Sequence, residues 1–307
     1  MTDARRQVSI SIITPSYNQA SFLDETMRSV LDQRYPNLEY FVIDGGSTDH
    51  SADVIRKYAD RLAYWVSERD KGQTDALNKG FTRATGDVVG YLNSDDLLEP
   101  GALAIVGRAF EDPNVDWYGG GCVYIDENGV ELTRYTPKPP SRPGDFFRTG
   151  AQRIWQPSTF WRRSLFDRIG LPDQALHYIM DFEFWLRLSV NRIPMHTTDA
   201  PLSRFRVHST SKTETSGERF LAELFRVAQD YRPRLGIVDR VLVDHDLRRA
   251  RIIQDVSAVL DAARADGPAA GRARLLTAML RQPTMVLARP TWGAWRRLLS
   301  RGYASAP

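Results

Sequence analysis

The sequence predicts an α/β fold: a mixed, mainly parallel sheet flanked by helices, with a helical extension at the C-terminus. Two observations carry this. Short apolar, β-branched runs recur at 8–13, 40–43, 62–66 and 88–92, separated by helical stretches, which is the pattern of buried parallel strands. Each run is followed closely by a polar segment: Thr14-Pro15-Ser16-Tyr17-Asn18, Asp44-Gly45-Gly46-Ser47-Thr48-Asp49, Asp70-Lys71-Gly72-Gln73 and Asn93-Ser94-Asp95-Asp96. Open α/β sheets bind ligands in the loops at the carboxyl ends of their strands.

The elements follow in order. Ser21 is placed to cap a first helix whose Phe22, Met27, Val30 and Leu31 share a face. Asp49 or Ser51 caps the next, with Val54, Ile55 and Tyr58 inward. Gly72 opens a third through Ala76, Leu77 and Phe81, stopping near Gly86, and Pro100-Gly101 starts a fourth through Leu103, Ile105, Val106 and Phe110. Residues 115–118 read as a strand, Gly119-Gly120-Gly121 as a turn or bulge, and 122–125 as a further strand. Asp126-Glu127-Asn128-Gly129 is a hairpin turn with 130–135 returning. The Pro-rich stretch 137–143 is a surface crossing, 154–161 a strand interrupted at Pro157, and 163–169 a short helix closed by Gly170. An amphipathic helix covers 178–190, short strands fall at 194–198 and 202–207, and the chain is helical after Ser216. There Phe220, Leu221, Leu224, Phe225 and Ala228 form one face, and Ile252, Ile253, Val256, Val259 and Leu260 the next. These readings give an α/β region at 1–215, divided at about 118, and a basic helical extension at 216–307.

Composition narrows the class. A chain of 307 residues, 42% hydrophobic and 26% charged, buries a substantial core and is not globally disordered. The single Cys122 excludes an internal disulfide and a cysteine-cluster zinc site and suits a reducing compartment. The polar residues 1–7 lead straight into a strand, so no signal peptide is expected, nor any apolar stretch long enough to span a bilayer. The expected location is cytoplasmic. Seven arginines and no acid lie from Gly271 onward, while the rest of the chain is net acidic. Trp292, Trp295, Leu298 and Leu299 share a helical face flanked by Arg296, Arg297 and Arg301. That tail is either a helix packed on the catalytic body or an interfacial helix on an anionic membrane, which would make the protein peripheral on the inner face. No base-stacking or helix-turn-helix signature supports a nucleic-acid partner.

The chemistry-bearing residues lie in the strand-end loops. Asp95 and Asp96 leave a buried strand together, and adjacent carboxylates repel unless a cation neutralises them. Hard ions such as Mn²⁺ or Mg²⁺ take oxygen ligands and bridge to substrate phosphates; the plain alternative is a solvated loop that caps the following helix. Asp44 is suited to a uracil N3–H or a ribose hydroxyl, with Gly46 letting backbone approach the ligand, or else is a turn acid. The segment holding Thr14, Pro15, Tyr17 and Asn18 offers polar backbone to a base edge and a ring for stacking. Asp181 is either a helix-start acid favoured by the dipole or a general base among aromatics, whose proton affinity rises with burial. His208 is a surface histidine, a nitrogen ligand or a phosphate contact.

The series Thr14 to Asn18, Asp44 to Asp49, Leu92 to Asp96, Gln156-Pro157-Ser158, Asp181 to Leu186 and Arg206-Val207-His208 resembles the family 2 glycosyltransferases over roughly residues 8–211. The resemblance implies a GT-A catalytic domain at 1–215, with nucleotide-sugar binding at about 1–118 and an acceptor and catalytic part at about 119–215, and an inverting transferase. It would move a sugar from a nucleotide-diphosphate donor, a UDP-sugar foremost, to a glycan or lipid-linked acceptor in polysaccharide or glycolipid synthesis. It also implies that Asp44 contacts the nucleoside, that Asp95 holds the metal with Asp96 as auxiliary, that His208 closes on the metal or diphosphate, and that Asp181 is the catalytic base. The donor site implied comprises Thr14, Pro15, Tyr17, Asn18, Asp44, Gly46, Asp70, Gln73, Asp75, Asn78 and Ser94. The chain departs from the family pattern at two places: Asn93 stands where an Asp-x-Asp motif has its first acid, and Ala76-Leu77-Asn78 replaces an Ala-Arg-Asn segment. Gln73, Asp75 and Lys79 are the candidates to make the missing arginine's contacts. A nucleotidyltransferase would need a glycine-rich, basic phosphate loop after the first strand, which Thr14 to Asn18 is not. A catalytically dead binding protein would have no need to keep Asp44, Asp95 and Asp181 together.

Overall fold

The computed structural model describes residues 7–148, 154–209 and 217–281, together with Ala294. Strands β1 (Ile10–Ser16), β2 (Leu38–Asp44), β3 (Tyr64–Ser67) and β4 (Val88–Tyr91) run parallel in the spatial order β3-β2-β1-β4. Helices α1 (Ala20–Leu31), α2 (Ser51–Arg56) and α3 (Gln73–Arg83) connect them. Every residue of β1 is buried, so the strand is covered on both faces, as its unbroken apolar run predicts. Ile10 and Ile12 join Leu23, Met27 and Val30 of α1 and Val42 of β2 in the main core.

Past β4 the sheet changes polarity. The short β5 (Leu97–Leu98), helix α4 (Ala102–Ala109), β6 (Trp117–Ile125), β7 (Glu131–Tyr135), β8 (Thr159–Arg162), α5 (Leu165–Ile169), α6 (Met180–Val190) and β9 (Met195–Arg206) follow. The order continues β4-β8-β6-β9-β5, with β7 on β6. Strand β8 is antiparallel to both β4 and β6, whereas β6 and β9 are parallel. The sheet is therefore mixed and mainly parallel in its first half.

Several local expectations change. The first helix begins before Ser21, and its amides are met from another loop: Asp49 accepts the Ala20 N–H at 3.0 Å and the Ser51 N–H at 2.9 Å, so one carboxylate serves the starts of α1 and α2. Gly119-Gly120-Gly121 does not break the chain; β6 runs through it, with its register to β9 shifting at Gly119/Gly121 and Gly121/Cys122. The reason is close approach, because a Cβ at Gly120 would lie 2.5 Å from Leu202 Cδ1 and 2.9 Å from the Ala200 carbonyl. The two strands expected at 194–198 and 202–207 are one, β9, whose Pro201 lies opposite Gly121.

Helix α7 (Gly217–Tyr231) completes a first compact unit, which ends at Leu235. The second unit takes in a short segment at Phe147 and the chain from Gly236 onward, with α8 (Ile237–Asp266) and α9 (Pro268–Arg281). Its core is the stripe Ile252, Val256, Val259 and Ala263 with Leu275 and Ala294. Of the face expected there, Leu260 is partly buried and Ile253 is exposed. The tail residues Trp292, Trp295, Arg296, Arg297, Leu298, Leu299 and Arg301 lie outside the described residues. No helix among the described residues is long and apolar enough to cross a membrane.

Candidate active site

The loop after β2 is built around Asp44. Its carboxylate is fully buried and accepts the Ser47 N–H (2.9 Å), the Ser47 hydroxyl (2.5 Å) and the Ser67 hydroxyl (2.6 Å). These bonds fold Gly45-Gly46-Ser47 over the strand end, with Gly46 at φ +78° where a side chain is strained. Asn18, itself at φ +52°, ties this loop to the one after β1. Its amide donates to Ser47 Oγ at 2.8 Å and its Oδ1 accepts the Thr48 N–H at 2.8 Å. Asp70, after β3, lies against Gly45, where a Cβ would be 2.7 Å from its Oδ2. It accepts the Gly72 N–H at 2.8 Å, which turns the chain into α3. Burial raises the Asp70 pKa, and the nearby Asp75 and Asp44 add to the effect.

After β4 the carbonyls of a three-residue turn are all held. Thr26 Oγ1 donates to the Ser94 and Asp96 carbonyls at 3.0 and 2.9 Å, and Arg206 Nε donates to the Asp95 carbonyl at 2.9 Å. Arg206 is buried and pairs with Glu25 at 2.6 Å. Asp95 and Asp96 then diverge. Asp95 Oδ2 lies 3.1 Å from His208 Nε2 at the end of β9. Asp96 turns into the protein, accepting the Arg206 N–H at 3.0 Å and Asn93 Nδ2 at 3.4 Å; burial, reinforced by the Asp95 charge, raises its pKa well above the carboxylate range. Asp96, expected as an auxiliary ligand, is thus a buried brace in this structure. Asn93 links a row of amides: Gln73 Nε2 donates to Asn93 Oδ1 at 2.7 Å, Asn93 Nδ2 to Gln156 Oε1 at 3.0 Å, and Gln156 Nε2 to the Tyr91 carbonyl at 2.7 Å.

One oxygen and one nitrogen side chain at 3.1 Å suit a hard divalent cation that draws the rest of its shell from phosphate oxygens and water. Among the described residues no group of three or more His, Cys, Asp or Glu side chains is gathered to hold a metal alone. The residues fit an ion shared with a ligand rather than a closed protein cage.

These loops open on a cavity of about 920 Å³ inside the first unit. Of the residues singled out in the sequence, Pro15, Tyr17, Gly46, Asp70, Gln73, Ser94, Asp95 and Asp181 line it. The far wall is α6 and its approach, with Tyr178, Phe182 and Trp185 beside Asp181. Thr14, Asn18, Asp44, Asp75, Asn78, Asp96 and His208 are not among the lining residues. Thr14 is buried and bonded to Tyr40 at 3.0 Å. Asn78 donates to the Pro172 carbonyl at 2.9 Å, and Asp75 accepts from Lys71 and Gln174 at 3.2 Å each. Lys79 pairs with Glu68 at 2.9 Å. Sequence reasoning missed Tyr91, Arg69 and Phe220 in the lining. Tyr91 ends the β4 run and read as core; Phe220 lay in a segment taken for the extension.

The family described as glycosyl transferase family 2 matches residues 11–170. TuaG of Bacillus subtilis, named provisionally as a teichuronic acid biosynthesis glycosyltransferase, is 39% identical over 135 residues, covering 43% of this chain and 54% of TuaG. Among solved structures, the 1–349 portion of S. aureus TarS in complex with UDP-GlcNAc superposes with a TM-score of 0.59 at 16% identity, covering 90% of this chain and 92% of that one. The mannosyltransferase PcManGT from Pyrobaculum calidifontis, in complex with GDP-Man and Mn²⁺, gives 0.57 at 21% identity, covering 96% and 88%. The fold is GT-A-like.

Proposed function

Because the chain belongs to glycosyl transferase family 2 and is a glycosyltransferase, we propose that it moves a sugar from a nucleotide-diphosphate donor, a UDP-sugar foremost, to an acceptor hydroxyl with inversion. The observation that carries this reading is one cavity lined by the loops after β1, β2, β3 and β4 together with Asp181 at the head of α6. Pro15, Tyr17, Gly46, Asp70, Gln73 and Ser94 bind the donor. Asp70 is the acid that faces the nucleoside; Asp44, with its oxygens taken by Ser47 and Ser67, shapes the loop that receives it. Asn18 and Asp75 brace the loops after β1, β2 and β3 from outside the cavity, while Thr14 joins β1 to β2 and Asn78 ties α3 to the Pro172 carbonyl.

Asp181 is the general base: it takes the proton of the attacking acceptor hydroxyl, and a single displacement inverts the anomeric carbon without an enzyme nucleophile. Asp95 and His208 would hold Mn²⁺ or Mg²⁺, which when bound neutralises negative charge on the leaving diphosphate. TuaG's provisional name supports a glycan acceptor in polysaccharide assembly, and the titles of TarS and PcManGT support nucleotide-sugar donors and, for PcManGT, Mn²⁺. The test is a screen for nucleotide release across UDP- and GDP-sugars, with and without Mn²⁺ or Mg²⁺. Release from no nucleotide sugar in the presence of glycan acceptors would remove the reading.

A further inference from the structure

Three amides stand at the approach to α6, those of His177, Tyr178 and Ile179. Ile179 is the cap residue of α6 and the other two precede it, so none of the three has an intrahelical partner. No side chain at the cap position of α6 takes them. One carboxylate from a distant element does: Glu223 of α7 accepts the His177 N–H on Oε1 at 2.8 Å, and the Tyr178 and Ile179 N–H groups on Oε2 at 2.8 and 3.2 Å. A second attachment lies further along both helices. The Tyr231 hydroxyl donates to Glu183, which pairs with Arg187 at 2.5 Å; Arg187 in turn donates to the Ile169 and Leu171 carbonyls at 2.7 and 3.0 Å. Helix α7, like α6, lies beyond the residues matched by the family; it bonds to the approach to α6 and to Glu183 within it, and lends Phe220 to the cavity.

We propose that Glu223 is a positioning residue for Asp181, acting through the amides it gathers two to four residues upstream. This rests on the reading of Asp181 as general base. A charged acceptor shared by three backbone donors is strong and directional, and it also suits the positive end of the helix. Without it the start of α6 loses its anchor, and the Asp181 carboxylate in that first turn loses its bearing on the acceptor hydroxyl. Proton transfer tolerates little displacement, since about 1 Å of misplacement costs on the order of a hundredfold in rate. Donor contacts come from other loops and stay in place.

The experiment uses the full chain and the nucleotide sugar found active in the release screen. E223A should lower kcat by roughly tenfold to a hundredfold with the donor KM unchanged. E223Q, which keeps one acceptor oxygen, should recover part of that loss. The double variant D181N/E223A should be no slower than D181N alone, because both act on one step. Wild-type kcat in E223A, a raised donor KM in place of a lowered kcat, or a double variant slowed by the full additional factor would each overturn the proposal. If E223A does not fold, the kcat and KM of E223Q decide in the same way. D181N with wild-type turnover overturns the base assignment itself, and it does so without any change at Glu223.

Discussion

At the scale of single residues, polar groups divide between those that face the cavity and those that build the loops facing it. Asp181→Asn should reduce turnover by about 10²- to 10⁴-fold and leave donor affinity unchanged, as read by steady-state rates beside calorimetric donor binding. Asp95→Ala should lose metal-dependent donor affinity and turnover together, and full activity of the wild-type protein in excess chelator would contradict the assignment of Asp95 and His208 to a cation. Glu39 offers a pH test remote from the site. Burial pushes its pKa up, but bonds accepted from Ser11, Thr85 and Gly86 outweigh this and hold it below the ordinary 4.5. A lowered folded-state pKa adds stability that is complete above the unfolded value and fades as pH falls through the folded one. Glu39→Gln should therefore cost most stability near neutrality, and its deficit in denaturant midpoint should shrink below about pH 4.5; a deficit constant with pH would refute it. The strand-end acids were legible as a group, because an acid after an apolar run is conspicuous. Which of them face inward was not. Asp44 accepts from Ser67 as well as from the nearby Ser47, and Asp96 from Arg206, so their orientation depends in part on distant residues that no local pattern contains.

Elements were legible where one face repeats. The runs at 8–13, 40–43 and 88–92 became β1, β2 and β4, since β-branched residues between helical segments suit both-side burial. Boundaries were lost where a tertiary partner overrides the local signal. Gly119-Gly120-Gly121 looks like a break, but it is a strand whose missing side chains admit β9. Gly120→Ala should cost about 1–3 kcal/mol, because Leu202 and the Ala200 carbonyl have little room to yield. Gly119→Ala should cost less, since its nearest neighbour is the mobile end of Met195. Equal shifts in denaturant midpoint would mean that β6 and β9 are looser than described. The extended helix face after Ser216 was read as one appendage, yet α7 ends the first unit and α8 begins the second.

On the scale of the whole molecule, the second unit has a core of its own in which Leu275 of α9 completes the α8 stripe. Ending the chain at Gly267 would therefore bare Ile252, Val256 and Val259, whereas ending it at Leu235 removes the whole of that core. The shorter chain should fold and turn over a soluble acceptor analogue, because every residue lining the cavity precedes Leu235. The intact protein should bind anionic vesicles in a salt-sensitive manner, each tail arginine near the surface contributing about 1 kcal/mol. An intact protein that ignores such vesicles would end the membrane reading of the tail. The order of strands has a consequence for how such a chain diversifies. Because β8 runs against β4, it is the entrance of β8, at Gln156, that reaches the amide row beneath the cavity. The connection arriving there from β7 ends on Trp155, which stacks on Tyr135 at 5.3 Å and donates to the Tyr124 hydroxyl at 3.2 Å. On the way Phe146 is buried and packs edge-on against Phe182 of α6, so the connection is tied to the same helix that carries Asp181. A substitution in this connection is therefore felt at the wall of the cavity as well as at the hairpin, and the span changes only together with the frame that carries it.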